Sequence, residues 1–159
     1  DGAAALVMTR ESTARELGLP IVARVGAHAA HAHEPALFTT APVPAMQKAL
    51  DKAGWSVEDV DLWEINEAFA VVPMIAMQEM GIPHDKVNVN GGACALGHPI
   101  GASGARVMAT LLGALQTRGK KTGVASLCIG GGEAVAMAVD LAGRPVPRPL
   151  CGRGGSPPR

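Results

Sequence analysis

The stretch Asn88-Val-Asn-Gly-Gly-Ala-Cys-Ala-Leu-Gly-His-Pro-Ile-Gly-Ala-Ser-Gly-Ala-Arg106 decides the fold. It begins inside a short β-branched run, Val87 to Val89. It then passes through a Gly-rich turn, presents His98 beside Pro99, and becomes an apolar helical pattern after Gly104. The reading is strand, tight loop, helix, with His98 held in the loop. Glycine permits close approach to the main chain, and five glycines between positions 91 and 104 exceed the needs of a plain connector.

Working outward, 159 residues predict one domain able to bury about two-thirds of its unfolded surface. Apolar content of 48% and charged content of 18% fit a soluble globular α/β protein. The formal net charge is zero, but residues 143–159 hold four arginines and no acid. The rest therefore has ten basic against fourteen acidic groups, a net charge of −4. A body of that sign gives no electrostatic reason to bind nucleic acid. No apolar run reaches the roughly 18 residues of a membrane span. Three cysteines without C-x-x-C suggest neither a disulfide framework nor a zinc site, and favour a reducing compartment, here cytoplasmic. The opening Asp1-Gly-Ala-Ala-Ala lacks an initiator methionine and a charged leader, so it reads as the interior of a longer protein.

Ala3 to Thr9 predicts a strand and Arg10 to Leu19 a short helix, with Ser12 as its cap. Ile21 to Val25 predicts a strand, and His28 to Pro35 a solvated loop. His28, His31 and His33 invite a metal reading, but the spacing is not that of a helical zinc pair and no cysteine is near, so no metal is expected. Pro42 to Gly54 predicts a helix, Ser56 with Asp59 a capping pair, and Val60 to Ile65 a strand. Val71 to Met80 is apolar on nearly every side, which predicts a helix buried between sheets, its methionines serving as core filler. Ala102 to Arg118 predicts a further helix. Thr122 to Ile129 and Glu133 to Leu141, joined by Gly130-Gly131-Gly132, predict an antiparallel hairpin. In residues 143–159, 13 of 17 are Pro, Gly or Arg, which predicts a disordered tail that includes Cys151.

Three polar groups stand where strands end: Asn66, His98 and Cys128. Active sites of α/β sheets gather at such ends. Cysteine and histidine both exchange protons near neutral pH, and an amide or imidazole N–H can bind a developing oxyanion. Backbone N–H groups of the turn at Gly130 offer a second such site. Each residue also has a plainer reading: Asn66 as a helix cap, His98 as a satisfied loop histidine, Cys128 as a buried structural thiol. Two other motifs fail on spacing. Gly97-x-x-x-Gly101-x-x-Gly104 is not a dinucleotide fingerprint, and Gly113 to Lys120 is not a phosphate loop.

At these residues the sequence resembles the thiolases, acetyl-CoA C-acetyltransferases and 3-ketoacyl-CoA thiolases. The motifs that carry the resemblance are Asn66-Glu-Ala-Phe-Ala70, the Asn90 to Gly104 loop and Cys128-Ile-Gly-Gly-Gly132. The resemblance implies an α/β thiolase fold, C-terminal half: a mixed five-stranded sheet covered by helices. It places the end of the N-terminal domain at 1–19, the C-terminal domain at 20–142, and the tail at 143–159. It implies that Cys128 is the acid and base at the α-carbon and leaving thiol. His98 activates an acyl-accepting cysteine and lines an oxyanion hole, Asn66 helps fix the water of that same hole, and Gly130 gives a backbone N–H to the second hole. Ala68 and Phe69 would lie along the pantetheine path, and Leu37 stands where the acyl pocket is shaped.

The implied reaction is reversible acetyl transfer or 3-ketoacyl-CoA thiolysis in fatty acid and lipid metabolism. Coenzyme A thioesters are its substrates, with no cofactor or metal. The family's nucleophilic cysteine lies in an N-terminal half absent from these residues, and Cys94 does not replace it. That half is the expected partner, with a homo-oligomer when complete. A non-catalytic module that binds acyl-CoA or a subunit is the alternative. A ketosynthase-type enzyme is a third option, disfavoured by the Cys128 motif.

Overall fold

The glycine turn does what its composition predicts. β3 (Thr122–Ile129) and β4 (Glu133–Leu141) pair antiparallel, with Ile129 opposite Glu133. In this computed structural model, which describes residues 2–142, they form the centre of one mixed sheet. β1 (Ala23–Ala32) adds antiparallel to β4, and β2 (Leu62–Ile65) adds parallel to β3, giving the order β1-β4-β3-β2. Gly132 is the turn's constrained residue. Its φ is +102°, and a Cβ there would stand 2.3 Å from the carbonyl oxygen of His33. Its own carbonyl accepts a 3.1 Å hydrogen bond from the His33 N–H, which ties the hairpin to the end of β1.

The described residues hold five helices, α1 (Glu11–Glu16), α2 (Pro42–Ala53), α3 (Val71–Met80), α4 (Ala93–Leu96) and α5 (Ser103–Arg118), of which α2 and α5 lie directly on the sheet. The faces follow the period-2 alternation of strands. Trp63, Ile65, Val124 and Ala136 look towards α2 and α3, packing with Met46, Leu50, Val72 and Ala76. Leu62, Ala125 and Val139 look the other way, onto Val107, Leu111 and Leu115 of α5. α2, α3 and α5 each end on a left-handed glycine, Gly54, Gly81 and Gly119. The Ser56–Asp59 pair is present, with the Ser56 N–H donating to Asp59 Oδ2 over 2.8 Å.

Several expectations need correction. Residues 3–9 form no strand, because no ladder partner lies beside them among the described residues. Ser12 is not a cap; Arg10 precedes α1 without any side-chain capping bond. The stretch from His28 is not a loop but the body of β1. Ala27 and Ala29 turn inward and are buried, while His28 and Ala30 turn outward. Small alanines hid a strand alternation that larger residues would have shown. α3 is not enclosed: Val71 and Met74 are exposed, with Phe69 just before them. The disordered tail at 143–159, with Cys151, lies outside the described residues.

The sheet has four strands, not five. Val87 makes a single parallel bridge to Trp63, and then the chain turns at Asn88, whose φ is +47°. Here a side chain replaces the ladder. Asn88 Oδ1 accepts from the Ile65 N–H, and Nδ2 donates to the Ile65 carbonyl, each over 2.8 Å. Asparagine tolerates the left-handed region and carries an amide of backbone-like polarity, so it can do both. The same Nδ2 also donates to Glu67 Oε1 over 2.8 Å.

Replacing Asn88 by alanine removes these bonds and leaves a strained φ, and each lost bond is worth about 1 kcal/mol. We expect Asn88→Ala to lower unfolding free energy by about 2–4 kcal/mol in urea titration. Asn88→Gly, which relieves the φ, should lose somewhat less.

Candidate functional site

β2 and β3 run parallel, so their carboxyl ends lie together. Asn66 follows directly after β2, and its N–H donates to the Ser126 carbonyl of β3 over 2.9 Å. Cys128 lies two residues further along β3, so both stand at one end of the sheet. His98 arrives there from the loop before α5. Among the described residues no direct hydrogen bond joins Cys128 to His98 or Asn66.

His98 is half-buried and held at one nitrogen. Its Nδ1 lies 2.6 Å from Ser103 Oγ, and that hydroxyl donates to the Pro99 carbonyl over 3.1 Å. A serine hydroxyl has one hydrogen; with that hydrogen on the Pro99 carbonyl, Nδ1–H is the donor to Ser103. Nε2 therefore keeps its lone pair and is the nitrogen able to take a proton. Ser103 is fully buried at the first turn of α5, so the helix itself fixes the tautomer. The ring lines a cleft of about 290 Å³ with Gly2, Leu96, Pro99 and Arg106.

Cys128 is half-buried against the core, and burial pushes its thiol above the ordinary range, so it holds its proton at neutral pH. Gly130 is exposed in the turn, with open space where a Cβ would stand. Phe69 is exposed and meets Phe38 edge-on at 6.0 Å between ring centres. Leu37, beside Phe38, is exposed too, and Ala68 is half-buried. The Phe38–Phe69 contact brings together the two segments that carry Leu37 and Ala68.

Asn66 is buried. Its Oδ1 accepts from Arg106 Nη2 over 3.3 Å, while Nδ2 has no protein partner. Glu64, two residues earlier, is also buried, with one carboxylate oxygen unpartnered. Burial pushes its carboxyl up to about 7, against the pull of Arg106 and with a small push from Glu67. Glu67 behaves oppositely. Burial would raise it, but the bonds from Asn88 and the Cys94 N–H outweigh that and hold it below the ordinary range. Cys94 is exposed. Desolvation, then the Glu67 carboxylate, push its thiol up, which disfavours the thiolate a nucleophile needs. It lines a separate cavity of about 500 Å³ with Met74, Met77, Asp85 and Arg118. No group of three His, Cys, Asp or Glu among the described residues is arranged to hold a metal ion. No helix among them is long and apolar enough to cross a membrane.

Reading the sequence alone missed Arg106, Glu64, Ser103 and Asn88. A usable signal existed for three of them. Glu64 and Asn66 alternate onto one face of β2, and Ser103 and Arg106 are one turn apart on α5.

A mixed sheet with a carboxamide and a thiol at the carboxyl ends of two parallel strands, and an imidazole linked to the carboxamide through Arg106, defines an α/β protein with a strand-end site. Residues 19–141 match the model of the thiolase C-terminal domain. The chain belongs to the thiolase family. It is 56% identical over 140 residues to an acetyl-CoA acetyltransferase of Allochromatium vinosum, covering 88% of this chain and 36% of that protein. It is 50% identical over 139 residues to the cytosolic acetyl-CoA acetyltransferase of Mus musculus, covering 87% and 35%. The structure superposes on human mitochondrial 3-ketoacyl-CoA thiolase in complex with CoA with a TM-score of 0.81 at 40% identity, over 83% of this chain and 33% of that one. The chain thus spans about a third of the length of these relatives.

Folding raises the Glu64 pKa, so its favourable contribution is complete below the ordinary carboxylate value and disappears as pH rises through about 7. We expect Glu64→Gln to gain on the parent chain by up to about 3 kcal/mol between pH 5 and pH 8 in urea titrations, with little difference near pH 4.

Proposed function

We propose that this chain supplies the proton-handling part of a thiolase acyltransferase, acting on coenzyme A thioesters. The observation that supports it most is the His98 tautomer, with Nδ1–H committed to Ser103 and Nε2 free. In thiolysis, Nε2 takes the proton of a cysteine thiol brought by the rest of the enzyme. The thiolate attacks the 3-keto carbon of a 3-ketoacyl-CoA, forming a C–S bond. The bond between C2 and C3 then breaks, and the pair left on C2 takes the proton of Cys128 to give acetyl-CoA. A thiol held protonated by burial suits that donation. The Cys128 thiolate then takes the proton of the CoA thiol, the CoA sulfur attacks the acyl-enzyme carbonyl to form the shortened acyl-CoA, and the enzyme sulfur leaves and recovers its proton from His98, in ping-pong order. Asn66 and the exposed amide of Gly130 would stabilise the oxyanions, and Ala68, Phe69 and Leu37 would line the path of the thioester.

No cofactor enters this scheme. The names of the relatives support acetyl transfer, and the name of the mouse relative supports a cytosolic place; the proposed reaction would belong to fatty acid and lipid metabolism. In the proposed organisation residues 1–19 close an N-terminal domain and 20–142 form the C-terminal one. The partner is a thiolase N-terminal half, and the exposed Phe69, Val71 and Met74 support burial of that face in a homo-oligomer.

The purified 159-residue chain should not turn over acetoacetyl-CoA, since neither Cys128 nor Cys94 is set up as a thiolate. Joined to the preceding part of the Allochromatium vinosum relative, it should. In that hybrid Cys128→Ser and His98→Asn should each lower kcat by roughly 10²–10⁴. Turnover by the unaided chain would refute the assignment. A folded hybrid that binds acetyl-CoA without turnover would favour the non-catalytic reading.

A further inference from the structure

Arg106 stands between two parts of the site. It lines the cleft that holds His98, and it donates to the buried carboxamide of Asn66. We propose that Arg106 is a positioning residue that fixes the Asn66 carboxamide so that Nδ2 alone is offered to a reacting oxygen. The proposal rests on the acyl-transfer reading above for its consequence, though not for its geometry.

Three observations carry it. First, a guanidinium only donates, so the amide atom that meets Nη2 at 3.3 Å must be the oxygen. The ambiguity between the two ends of an asparagine side chain is thereby removed. Second, Asn66 is 2% exposed, and its Nδ2 is buried with no protein partner. Buried amide donors in folded proteins are nearly always paired, so this one is kept for something besides the fold. Third, Arg106 is itself incompletely satisfied. Its Nε and Nη1 are buried without partners, and Glu64 is the acid beside it. Glu64 and Asn66 point to the α5 side of β2, as Leu62 does. A neutral amide alone would be a poor reason to bury a guanidinium. The nearby Glu64 carboxyl, when ionised, adds a Coulombic attraction to Arg106. Lysine would preserve the charge but present a compact ammonium in place of a planar edge, and so would not set the amide's rotation.

Arg106 need not touch substrate for this role. It acts through Asn66, and the amide's orientation is what an oxyanion site depends on. A carboxamide turned over would present Oδ1 to a developing negative charge, replacing attraction with repulsion.

The test separates geometry from catalysis. In the 15N-labelled 159-residue chain, side-chain order parameters are measured for Asn66 and, as an internal control, for Asn88. The parent chain should show both rigid, near about 0.85, and Arg106→Lys should drop Asn66 below about 0.6 while Asn88 stays rigid. Arg106→Met serves as a second variant and should act in the same direction. Asn66 remaining as rigid as Asn88 in a folded variant overturns the proposal. In the hybrid enzyme, Arg106→Lys should lower kcat by roughly 10–100-fold with KM for acetoacetyl-CoA changed less than about twofold. A loss confined to KM also overturns it. If the parent hybrid is folded but inactive, the acyl-transfer reading fails, and the order parameters still decide whether Arg106 positions Asn66.

Discussion

The side-chain amide of Asn88 is the interaction on which the rest of the site depends. β2 is only four residues long and lies at the edge of the sheet, with β3 on one side. Its other side would present unpaired backbone groups, which are costly when buried. Val87 covers one position by a bridge to Trp63, and Asn88 covers the next with its carboxamide on Ile65. The chain is thus free to turn away one residue later than a full strand would allow. That turn launches the glycine loop and delivers His98. The Asn88 Nδ2 contact with Glu67 then ties the loop back to the segment just after Asn66. Gly92 makes room for this, since a Cβ there would stand 2.3 Å from the Glu67 carboxylate.

Two carboxylates near the site carry opposite consequences. Glu67 accepts two hydrogen bonds and remains charged, so it acts as a rivet between the loop and β2. Glu64 is deeper and poorly partnered, and its charge is tolerated only because Arg106 is near. Neutralising Glu64 therefore removes a desolvation cost that Arg106 only partly offsets. Position along one strand therefore separates a structural acid from a strained one. The difference arises from how many donors each can reach.

The elements that a period reveals were legible in the sequence. α2, α3, α5 and the β3–β4 hairpin have strong apolar patterns and glycine stops, and all four are present. The placement of Asn66 and Cys128 at neighbouring strand ends was legible for the same reason. What failed was pairing that no local pattern encodes. Val87 to Val89 has strand composition, yet the positive φ of Asn88 ends the ladder after one bridge. β1 was obscured because Ala27 and Ala29 bury too little to stand out beside three histidines. The contact of Arg106 with Asn66 joins distant parts of the chain, and only the crossing of α5 over β2 brings it about.

The two proton carriers are held by different means, and this explains their different states. His98 sits in an irregular loop, where a hydroxyl from the first turn of α5 can reach its ring and fix a tautomer. Cys128 sits in a strand, where burial outweighs the lowering effect of its own backbone hydrogen bond and keeps the proton on sulfur. A base with a bare nitrogen and an acid with a retained proton are complementary starting states for one acyl-transfer cycle. The parallel register of β2 and β3 fixes Cys128 relative to Asn66, while the start of α5 fixes His98 through Ser103 and Asn66 through Arg106.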